Sequence, residues 1–232
     1  MCVRYTLHKS DAALAAIARA LKSQLAAPDW VVPRYNIILT QTVPVVASGA
    51  EAPEIRSMLW GLIAFFEREK TQRRLLPNAK AETAPKLPAF KSAVAKRRCL
   101  VPANGFYEWK TVGRLKLPHL FMLRNEAPFA FAGIWEEGTK DEPENFSILT
   151  TEPNAIVSPI HDRMPVILTE ETMARWLGSE PLAPEEYQAL VRPLEPALMT
   201  VRPVSCYVSN TRNEGPECLA APPEAEPELN LG

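Results

Sequence analysis

Proline is the residue that most limits how this chain can fold. The sequence of 232 residues contains 23 prolines, the first at position 28. Because proline lacks a backbone donor and fixes φ, it ends helices and is excluded from central strands. Long helices and a parallel βαβ array are therefore disfavoured, and short strands with irregular connections are favoured. Together with a helical pattern near the amino terminus, this predicts the α+β class.

The local patterns predict three helices and nine strands. Apolar residues recur at three- and four-residue steps after Ser10, which predicts a helix capped by Ser10 that runs to about Ala26. Two more helices are predicted at 86–96 and at 170–177, the second capped by Thr169. Runs of β-branched and aromatic residues predict strands at 35–39, 43–47, 59–63, 99–101, 105–110, 119–123, 129–135, 146–150 and 166–168.

The apolar content predicts one folded domain. Hydrophobic residues make up 47% of the chain, which is enough for a substantial core in one large domain or two small ones, and we expect one. This domain is predicted to span residues 1–215. The Pro- and Glu-rich stretch 216–232 has little to bury and is predicted to be a flexible tail. We expect the protein to be a monomer.

The net charge of -1 gives no global field that would attract nucleic acid, so any such contact needs a local patch. Basic residues cluster at 68–74 and at 91–98, although charge runs are more often solvated helix faces.

The four cysteines form no C-x-x-C pair, which predicts neither disulfides nor a zinc site. No apolar run reaches the ~20 residues of a membrane span, and the amino terminus lacks the basic-then-apolar pattern that would predict a secretion signal. We therefore expect a soluble, cytoplasmic protein without metal, cofactor or membrane partner.

Cys2 has unusual chemical potential because removal of Met1 would expose a 1,2-aminothiol. An α-amine titrates near ~8 and a thiol near ~8.5, so both are reactive close to neutral pH. The amine would condense with an aldehyde to an imine, and the tethered thiol would close a five-membered thiazolidine. A small residue at position 2 is common, however, so Cys2 alone is weak evidence.

Three polar segments provide candidate partners for this chemistry: 78–83, 102–110 and 158–165. Glu108 lies between two aromatic residues, where partial burial would raise its pKa toward neutrality, as a proton-transfer group requires. It could equally alternate outward on an edge strand. His161 precedes Asp162, which is consistent with a local hydrogen-bonded pair or half of a metal site, but no second histidine lies at ligand spacing. Asn78 could simply cap a helix.

The motifs together resemble the SOS-response-associated peptidase (SRAP) family over nearly the whole chain. The resemblance rests on seven ordered motifs, which are Met1-Cys2-x-Arg4-Tyr5, Arg34-Tyr35-Asn36, Trp60-Gly61-Leu62-Ile63, Asn78-Ala79-x-Ala81-Glu82-Thr83, Arg98-Cys99-Leu100-Val101-Pro102-Ala103-x-Gly105-Phe106-Tyr107-Glu108-Trp109, Ile160-His161-Asp162-Arg163-Met164-Pro165 and Val208-Ser209-Asn210. It implies a single α+β domain with a mixed, mainly antiparallel, barrel-like sheet core and peripheral helices. It also implies covalent shielding of abasic sites in single-stranded DNA, with self-processing or aminopeptidase removal of Met1, and the cytoplasm or nucleoid as location.

The resemblance also implies a role for individual residues. Cys2 would be the nucleophile, Asn78 would orient the amine or the aldehyde, Glu108 would transfer protons, and His161 would assist ring opening and imine chemistry. The DNA would be held by Arg4, Asn36, Trp60, Phe66, Lys80 and Arg163. An abasic deoxyribose in its ring-opened form is an aldehyde, so the chemistry of Cys2 leads independently to the same class of substrate.

Several positions depart from the family pattern. Val3 replaces the usual glycine and adds bulk beside Cys2. Lys80 replaces an arginine and loses the planar, bidentate phosphate contact, so weaker and more salt-sensitive binding is expected. Ile38-Leu39 replaces Ala-Pro, and Ala64 and Phe66 replace a proline and a tryptophan. Phe66 can still stack on a base, although without the indole donor.

Two other functions remain as alternatives. A thiol peptidase acting on other proteins would use Cys2 with His161 as the base, and would tolerate a blocked amine. A noncatalytic reader of single-stranded or modified DNA would use Trp60, Phe66 and the basic clusters, and its binding would be reversed by salt.

Overall fold

The computed structural model describes residues 3–67 and 73–223 and confirms the α+β class. Met1 and Cys2, the basic residues Arg68 and Lys70, and the tail from residue 224 lie outside the described residues. The helices are α1 (Ser10–Leu21), α2 (Lys91–Lys96), α3 (Glu170–Leu177) and α4 (Pro184–Leu190). The strands are β1 (Arg4–Leu7), β2 (Arg34–Ile38), β3 (Thr42–Ser48), β4 (Pro53–Trp60), β5 (Leu62–Ile63), β6 (Leu75–Leu76), β7 (Asn78–Lys80), β8 (Arg98–Ala103), β9 (Gly105–Val112), β10 (Leu115–Leu123), β11 (Phe129–Glu136), β12 (Asn145–Thr151), β13 (Met164–Pro165), β14 (Ile167–Leu168) and β15 (Met199–Pro203).

Five strands form a closed ring, which confirms the expected barrel-like core. The order around the ring is β12, β4, β3, β8 and β11, and β11 pairs again with β12. The β12–β4 contact is parallel, whereas the other four are antiparallel. The short strands β7, β13 and β14 extend the ring at β12 and β11. Because the ring closes on itself, its central strands have no open edge.

A second sheet of five strands packs against the ring. Its order is β15, β10, β9, β1 and β2, and all its pairings are antiparallel. Strand alternation places Phe129 and Phe131 of the ring in one apolar cluster with Tyr5 and Phe106 of this sheet. The intervening Ala130 and its neighbours join a separate cluster beneath α1 and α3. The ring thus has a dense apolar layer on each of its two faces.

The Asn104–Gly105 segment is the corner at which the chain leaves the ring for the second sheet. Strand β8 ends at Ala103 in the ring, and β9 begins at Gly105 in the other sheet. The Asn104 amide donates to Thr6 O (2.8 Å), and Asn104 Oδ1 accepts from Lys9 N (2.8 Å). A Cβ atom at Gly105 would lie 2.7 Å from Phe121 O, so the close approach of β10 requires glycine there.

The helices differ in part from their predicted bounds. Helix α1 ends at Leu21, earlier than predicted, because Lys22 adopts φ 51° and its N–H caps the last turn. Lys9, rather than Ser10, is the N-cap residue. Helix α2 is shorter than predicted, since turns occupy residues 81–90. The prediction for α3 is confirmed, and Thr172 Oγ1 accepts from the backbone N–H of its cap Thr169.

The folded part of the chain continues beyond residue 215. The segment Pro216–Leu219 forms a 3-10 helix in which Cys218 is buried, and Ser205 N donates to Ala220 O (2.8 Å). Cys218 packs with Tyr107 and Val208 in a third apolar cluster. The start of the predicted flexible tail is therefore packed, because a few apolar side chains anchor a segment whose average composition is polar. Within the described residues, no helix is long and apolar enough to span a membrane.

The packing of β11 on β8 can be tested at Gly133. A Cβ atom there would lie 2.6 Å from Cys99 Sγ and 3.0 Å from Val101 Cγ2. We expect Gly133→Ala to lower the free energy of unfolding by about 1–3 kcal/mol, because the buried strands cannot move apart freely. The matched control Gly178→Ala, whose nearest contact would be 3.5 Å, is expected to change it by less than about 0.5 kcal/mol. Urea denaturation measures both, and equal stabilities would contradict this packing.

Candidate functional site

Glu108 lies on β9 as a buried carboxyl group. Its residue is 5% exposed, and its Oε1 has no hydrogen-bond partner among the residues that the structure describes. Burial, with a further contribution from the charge of Asp162, raises the pKa of Glu108 to about 7. The edge-strand alternative, with Glu108 turned to solvent, is wrong. A carboxyl group with this pKa exchanges protons readily near neutral pH.

His161 lies beside Glu108, on the loop between β12 and β13. Its Nε2 is 3.9 Å from Glu108 Oε2, which is near contact but longer than a hydrogen bond. Asn154 holds the first half of the loop, because its Oδ1 accepts from the amides of Ile156 and Val157 (3.1 Å each). The His161 amide then donates to Val157 O (3.0 Å). Two residues from distant parts of the sequence are thus brought together.

The His161 Nδ1 atom has contacts of both kinds. The Arg163 backbone N–H, at 3.0 Å, would donate to a bare Nδ1 and leave the proton of a neutral ring on Nε2, toward Glu108. Arg163 O and Asp162 Oδ1, at 3.1 Å each, would accept from a protonated Nδ1. Burial lowers the pKa of His161, whereas Asp162 acts to raise it.

Arg163 is engaged within the protein. Its two terminal nitrogens lie 2.9 Å from the two carboxylate oxygens of Glu82, and Nη2 also donates to Thr150 O (2.5 Å). The guanidinium therefore ties the His161 loop to β12 and to the turn after β7. Sequence reasoning assigned no role to Glu82 or Thr150. The sequence feature that could have indicated a role for Glu82 is its position within the 78–83 motif.

Asn78 and Lys80 lie on β7, which runs parallel to β12. Asn78 pairs with Ile148 and Lys80 with Thr150 in this register, so both are one strand away from the residues that hold the His161 loop. Asn78 is half-buried. The Lys80 side chain is exposed and has no ion-pair partner among the described residues, which leaves its charge available to a phosphate.

Arg4 and Asn36 join the amino-terminal strand to residues 205–219, which we call the C-terminal segment. Asn36 is 1% exposed, and its Nδ2 lies 3.2, 3.1 and 2.8 Å from the carbonyls of Val208, Asn210 and Asn213. Arg4 Nη1 lies 3.2 Å from Asn36 Oδ1 and 2.5 Å from Val208 O. The Arg4 guanidinium also lies 5.2 Å from the centre of the Trp109 ring. Arg4 and Asn36 therefore bind β1 and β2 to the C-terminal segment.

The two aromatic residues expected to contact DNA lie in different environments. Trp60 is 0% exposed; its Nε1 donates to Pro77 O (3.0 Å) and its ring packs against Tyr5 and Phe146. A buried ring offers no face to a base, so the expected stacking does not fit this position. Phe66 is 47% exposed on a 3-10 turn and makes an edge-to-face contact with Phe65 at 5.1 Å.

His119 is a neighbour of Glu108 that the sequence did not indicate. It lies directly opposite Glu108 in the antiparallel register of β9 and β10, so the two side chains leave the sheet on the same face. Its Nδ1 is 2.9 Å from Leu117 O. The sequence predicts both strands, at 105–110 and 119–123, but it does not give the register that sets Glu108 opposite His119.

Comparisons with known proteins agree with the fold and the motifs. A protein from Bacteroides thetaiotaomicron has the same fold, with a TM-score of 0.77 and 27% identity over 95% of this chain and 97% of that chain. A phage-related protein from Bordetella bronchiseptica aligns with a TM-score of 0.70 and 26% identity, over 88% of this chain and 94% of its own.

Curated relatives place this fold in a family. The abasic site processing protein YoqW of Bacillus subtilis (strain 168) is 33% identical over 191 residues, which are 81% of this chain and 85% of YoqW. The abasic site processing protein HMCES of Rattus norvegicus is 30% identical over 235 residues, covering 83% of this chain and 66% of HMCES. The model of the SOS response associated peptidase (SRAP) family matches residues 1–211, and the chain belongs to that family.

The buried state of Glu108 predicts how stability depends on pH. Because the pKa is about 7 in the folded protein and 4.5 ordinarily, the unfolded chain loses this proton first as the pH rises. The contribution of Glu108 to the free energy of unfolding is therefore full below pH 4.5 and falls by about 3 kcal/mol by the time the pH exceeds 7. Glu108→Gln should remove this fall. Urea denaturation between pH 4.5 and 8 tests it, and parallel pH profiles for the two proteins would contradict it.

Proposed function

We propose that this protein captures abasic sites in single-stranded DNA as a thiazolidine formed by Cys2 after removal of Met1. The removal is self-processing or is carried out by an aminopeptidase. The observation that carries the proposal is the buried Glu108, with a pKa of about 7 and His161 Nε2 at 3.9 Å, in a chain of the SRAP family. The names of the relatives, abasic site processing proteins, support the substrate.

The chemistry proceeds in two covalent steps without an oxidant or a reductant. The Cys2 amine attacks the C1′ aldehyde of the ring-opened deoxyribose, and loss of one water gives an imine. The Cys2 thiol then adds across the imine, so that a C–S bond forms and the thiol proton passes to the nitrogen. Tethering makes this second step intramolecular and therefore fast.

The described residues provide the proton transfers that these steps need. Loss of water requires a proton on the departing hydroxyl group, and thiol addition requires a base. Glu108 serves in both roles, because a pKa of about 7 leaves it partly protonated at neutral pH. His161 assists opening of the sugar ring, and Asn78 orients the amine or the aldehyde.

The position of β1 supports the approach of the amino terminus to Glu108. Strand β1 pairs antiparallel with β9, with Tyr5 opposite Phe106. Continued by two residues, this register brings Val3 opposite Glu108. Cys2 is the preceding residue in the sequence. It lies outside the described residues, so its placement is part of the proposal.

DNA binding is assigned mainly to exposed groups. Lys80 contacts a phosphate, and Phe66 stacks on a base. Arg4 and Arg163 remain phosphate ligands in the proposal, but a phosphate must compete with their contacts to Val208 O and Glu82. Because Lys80 is a point charge rather than a planar fork, binding is expected to weaken steeply with salt.

Intact mass spectrometry with an abasic single-stranded oligonucleotide tests the proposal. Protein without Met1 should gain the oligonucleotide mass less one water, since imine formation releases water and ring closure releases none. Cys2→Ala should lose the heat-stable adduct, whereas the matched control Cys206→Ala, at an exposed cysteine, should keep it. A heat-stable adduct in Cys2→Ala, or none in protein with a free Cys2, would contradict the proposal.

Acetylation of the Cys2 amine separates this activity from that of a thiol peptidase. The block should abolish the adduct because the imine cannot form. A peptidase that uses the thiol alone would retain its activity toward protein substrates.

A noncatalytic reader of single-stranded DNA is a second candidate, favoured by the exposed Phe65–Phe66 pair. Such a protein would bind an oligonucleotide with an abasic site in complexes that dissociate fully in high salt. A covalent adduct that persists in high salt distinguishes the two functions.

A further inference from the structure

We propose that Leu117 contacts the base that adjoins the abasic site, and that Lys110, directly opposite Leu117, binds a phosphate of the same DNA strand. Both residues belong to the hairpin of β9 and β10, and both lie in its exposed end. The inference rests on the function proposed above, and it assigns a protein surface to the DNA on one side of the abasic site.

The hairpin continues the face on which Glu108 lies. In the antiparallel register of β9 and β10, Glu108 is opposite His119. The next pair on the same face is Lys110 and Leu117, because side chains alternate along a strand. Residues advance about 3.3 Å along a strand, so these two pairs are about 7 Å apart. Leu117 and Lys110 are therefore next to a sugar that is bound at Glu108.

The opposite face of the hairpin makes contacts within the protein. Trp109 lies on that face, and its Nε1 donates to Ser209 Oγ (2.9 Å) in the C-terminal segment. Lys116 lies on that face too, since neighbouring residues of a strand alternate. The two lysines of the hairpin thus project to opposite sides, and only Lys110 is on the side of Glu108.

Leu117 presents apolar surface to solvent. It is 37% exposed, and Val112 and Leu115, which are farther along the same face, are 48% and 63% exposed. Neighbouring exposed apolar side chains are typical of a binding surface. An abasic site lacks one base, so the base next to it has an uncovered face that is stabilised by an apolar contact. Leu117 supplies this contact for any of the four bases, because each has such a face.

Lys110 provides a positive charge for the DNA strand. Its side chain is exposed and makes no hydrogen bond or ion pair among the residues that the structure describes. Arg114, at the turn of the hairpin, is also exposed. The stretch 109–123 contains no acidic residue. An apolar contact beside a free cation is suited to a single strand, in which bases and phosphates are both accessible.

Equilibrium binding to a stable abasic analogue tests this surface without the covalent step. A tetrahydrofuran sugar lacks the C1′ hydroxyl group and cannot open to an aldehyde, so an oligonucleotide that contains it binds reversibly. Three fluorescent single strands are compared. One has a single analogue between ordinary nucleotides, and the other two have a second analogue on the 5′ side or on the 3′ side. Fluorescence anisotropy gives the Kd of each strand for wild type and for Leu117→Ala.

We expect Leu117→Ala to weaken binding of the first strand by about fivefold, because part of one leucine contact is lost. A second analogue on one of the two sides removes the base that Leu117 contacts. With that strand, wild type and variant should differ by less than about twofold. The matched control Leu198→Ala, at an exposed leucine near the opposite end of β10, should bind all three strands as wild type does. An equal loss of affinity for the three strands, or no loss for any, would overturn the contact.

The two lysines give a matched test of the charge. Lys110→Ala and Lys116→Ala each remove one exposed cation from the hairpin, on opposite faces. Lys110→Ala should decrease the slope of log Kd against log salt by about 0.7, which is the value for one phosphate contact to a single strand. Lys116→Ala should keep the wild-type slope. An unchanged slope in Lys110→Ala, or an equal decrease in both variants, would overturn the role of Lys110.

The covalent reaction distinguishes failure of this proposal from failure of the proposed function. With a true abasic oligonucleotide at low concentration, Leu117→Ala and Lys110→Ala should slow adduct formation by the same factors by which they weaken binding. Reversible binding of the analogue without any adduct from the true abasic site would refute the proposed function and leave the surface standing. Failure of wild type to bind the analogue strands would overturn the surface itself.

Discussion

Closure of the five-stranded ring at β12 is the constraint on which the rest of this structure depends. All seven residues of β12 are buried, and the strand pairs with β4, β7, β11 and β13. Its parallel contact with β4 is what allows antiparallel neighbours to close on themselves. The candidate site is attached to this strand, since β7 bears Asn78 and the loop after β12 bears His161. The positions of Asn78 and His161 therefore depend on strand pairing as well as on contacts within the loop.

The environment of Glu108 follows from the way in which the two sheets meet. Strand β9 belongs to the second sheet, but its inward face shares an apolar cluster with the ring through Phe106. Glu108 is two residues further along the same face, where the core gives way to the His161 loop. A carboxyl group at that boundary is dry enough for its pKa to rise, yet near enough to polar groups to exchange protons. The fold thereby produces a carboxyl group that can gain or lose a proton near neutral pH.

Much of the fold was evident in the sequence, because apolar alternation reflects burial directly. The strand candidates at 129–135 and 146–150 match β11 and β12 to within one residue at each end. Helix α4 was missed, although Pro184 and the two acidic residues after it are a recognisable helix start. The strands that were missed are β1, β6, β7, β13 and β15. Motifs identified Glu108 and His161, but no local pattern encodes their 3.9 Å separation or the fork on Arg163. Trp60 shows the same limit, since a sequence motif does not distinguish an aromatic residue that contacts DNA from one that packs in the core.

The bond between Arg4 and Val208 has a consequence for the chain as a whole. It joins residues 204 positions apart, and Asn36 reinforces it with three further carbonyl contacts. Strand β1 is thus kept in place by a segment that the ribosome makes 204 residues later. The surroundings of β1 cannot form in a nascent chain until residue 213 has been made, and a premature stop shortly before position 205 would leave that strand without these contacts.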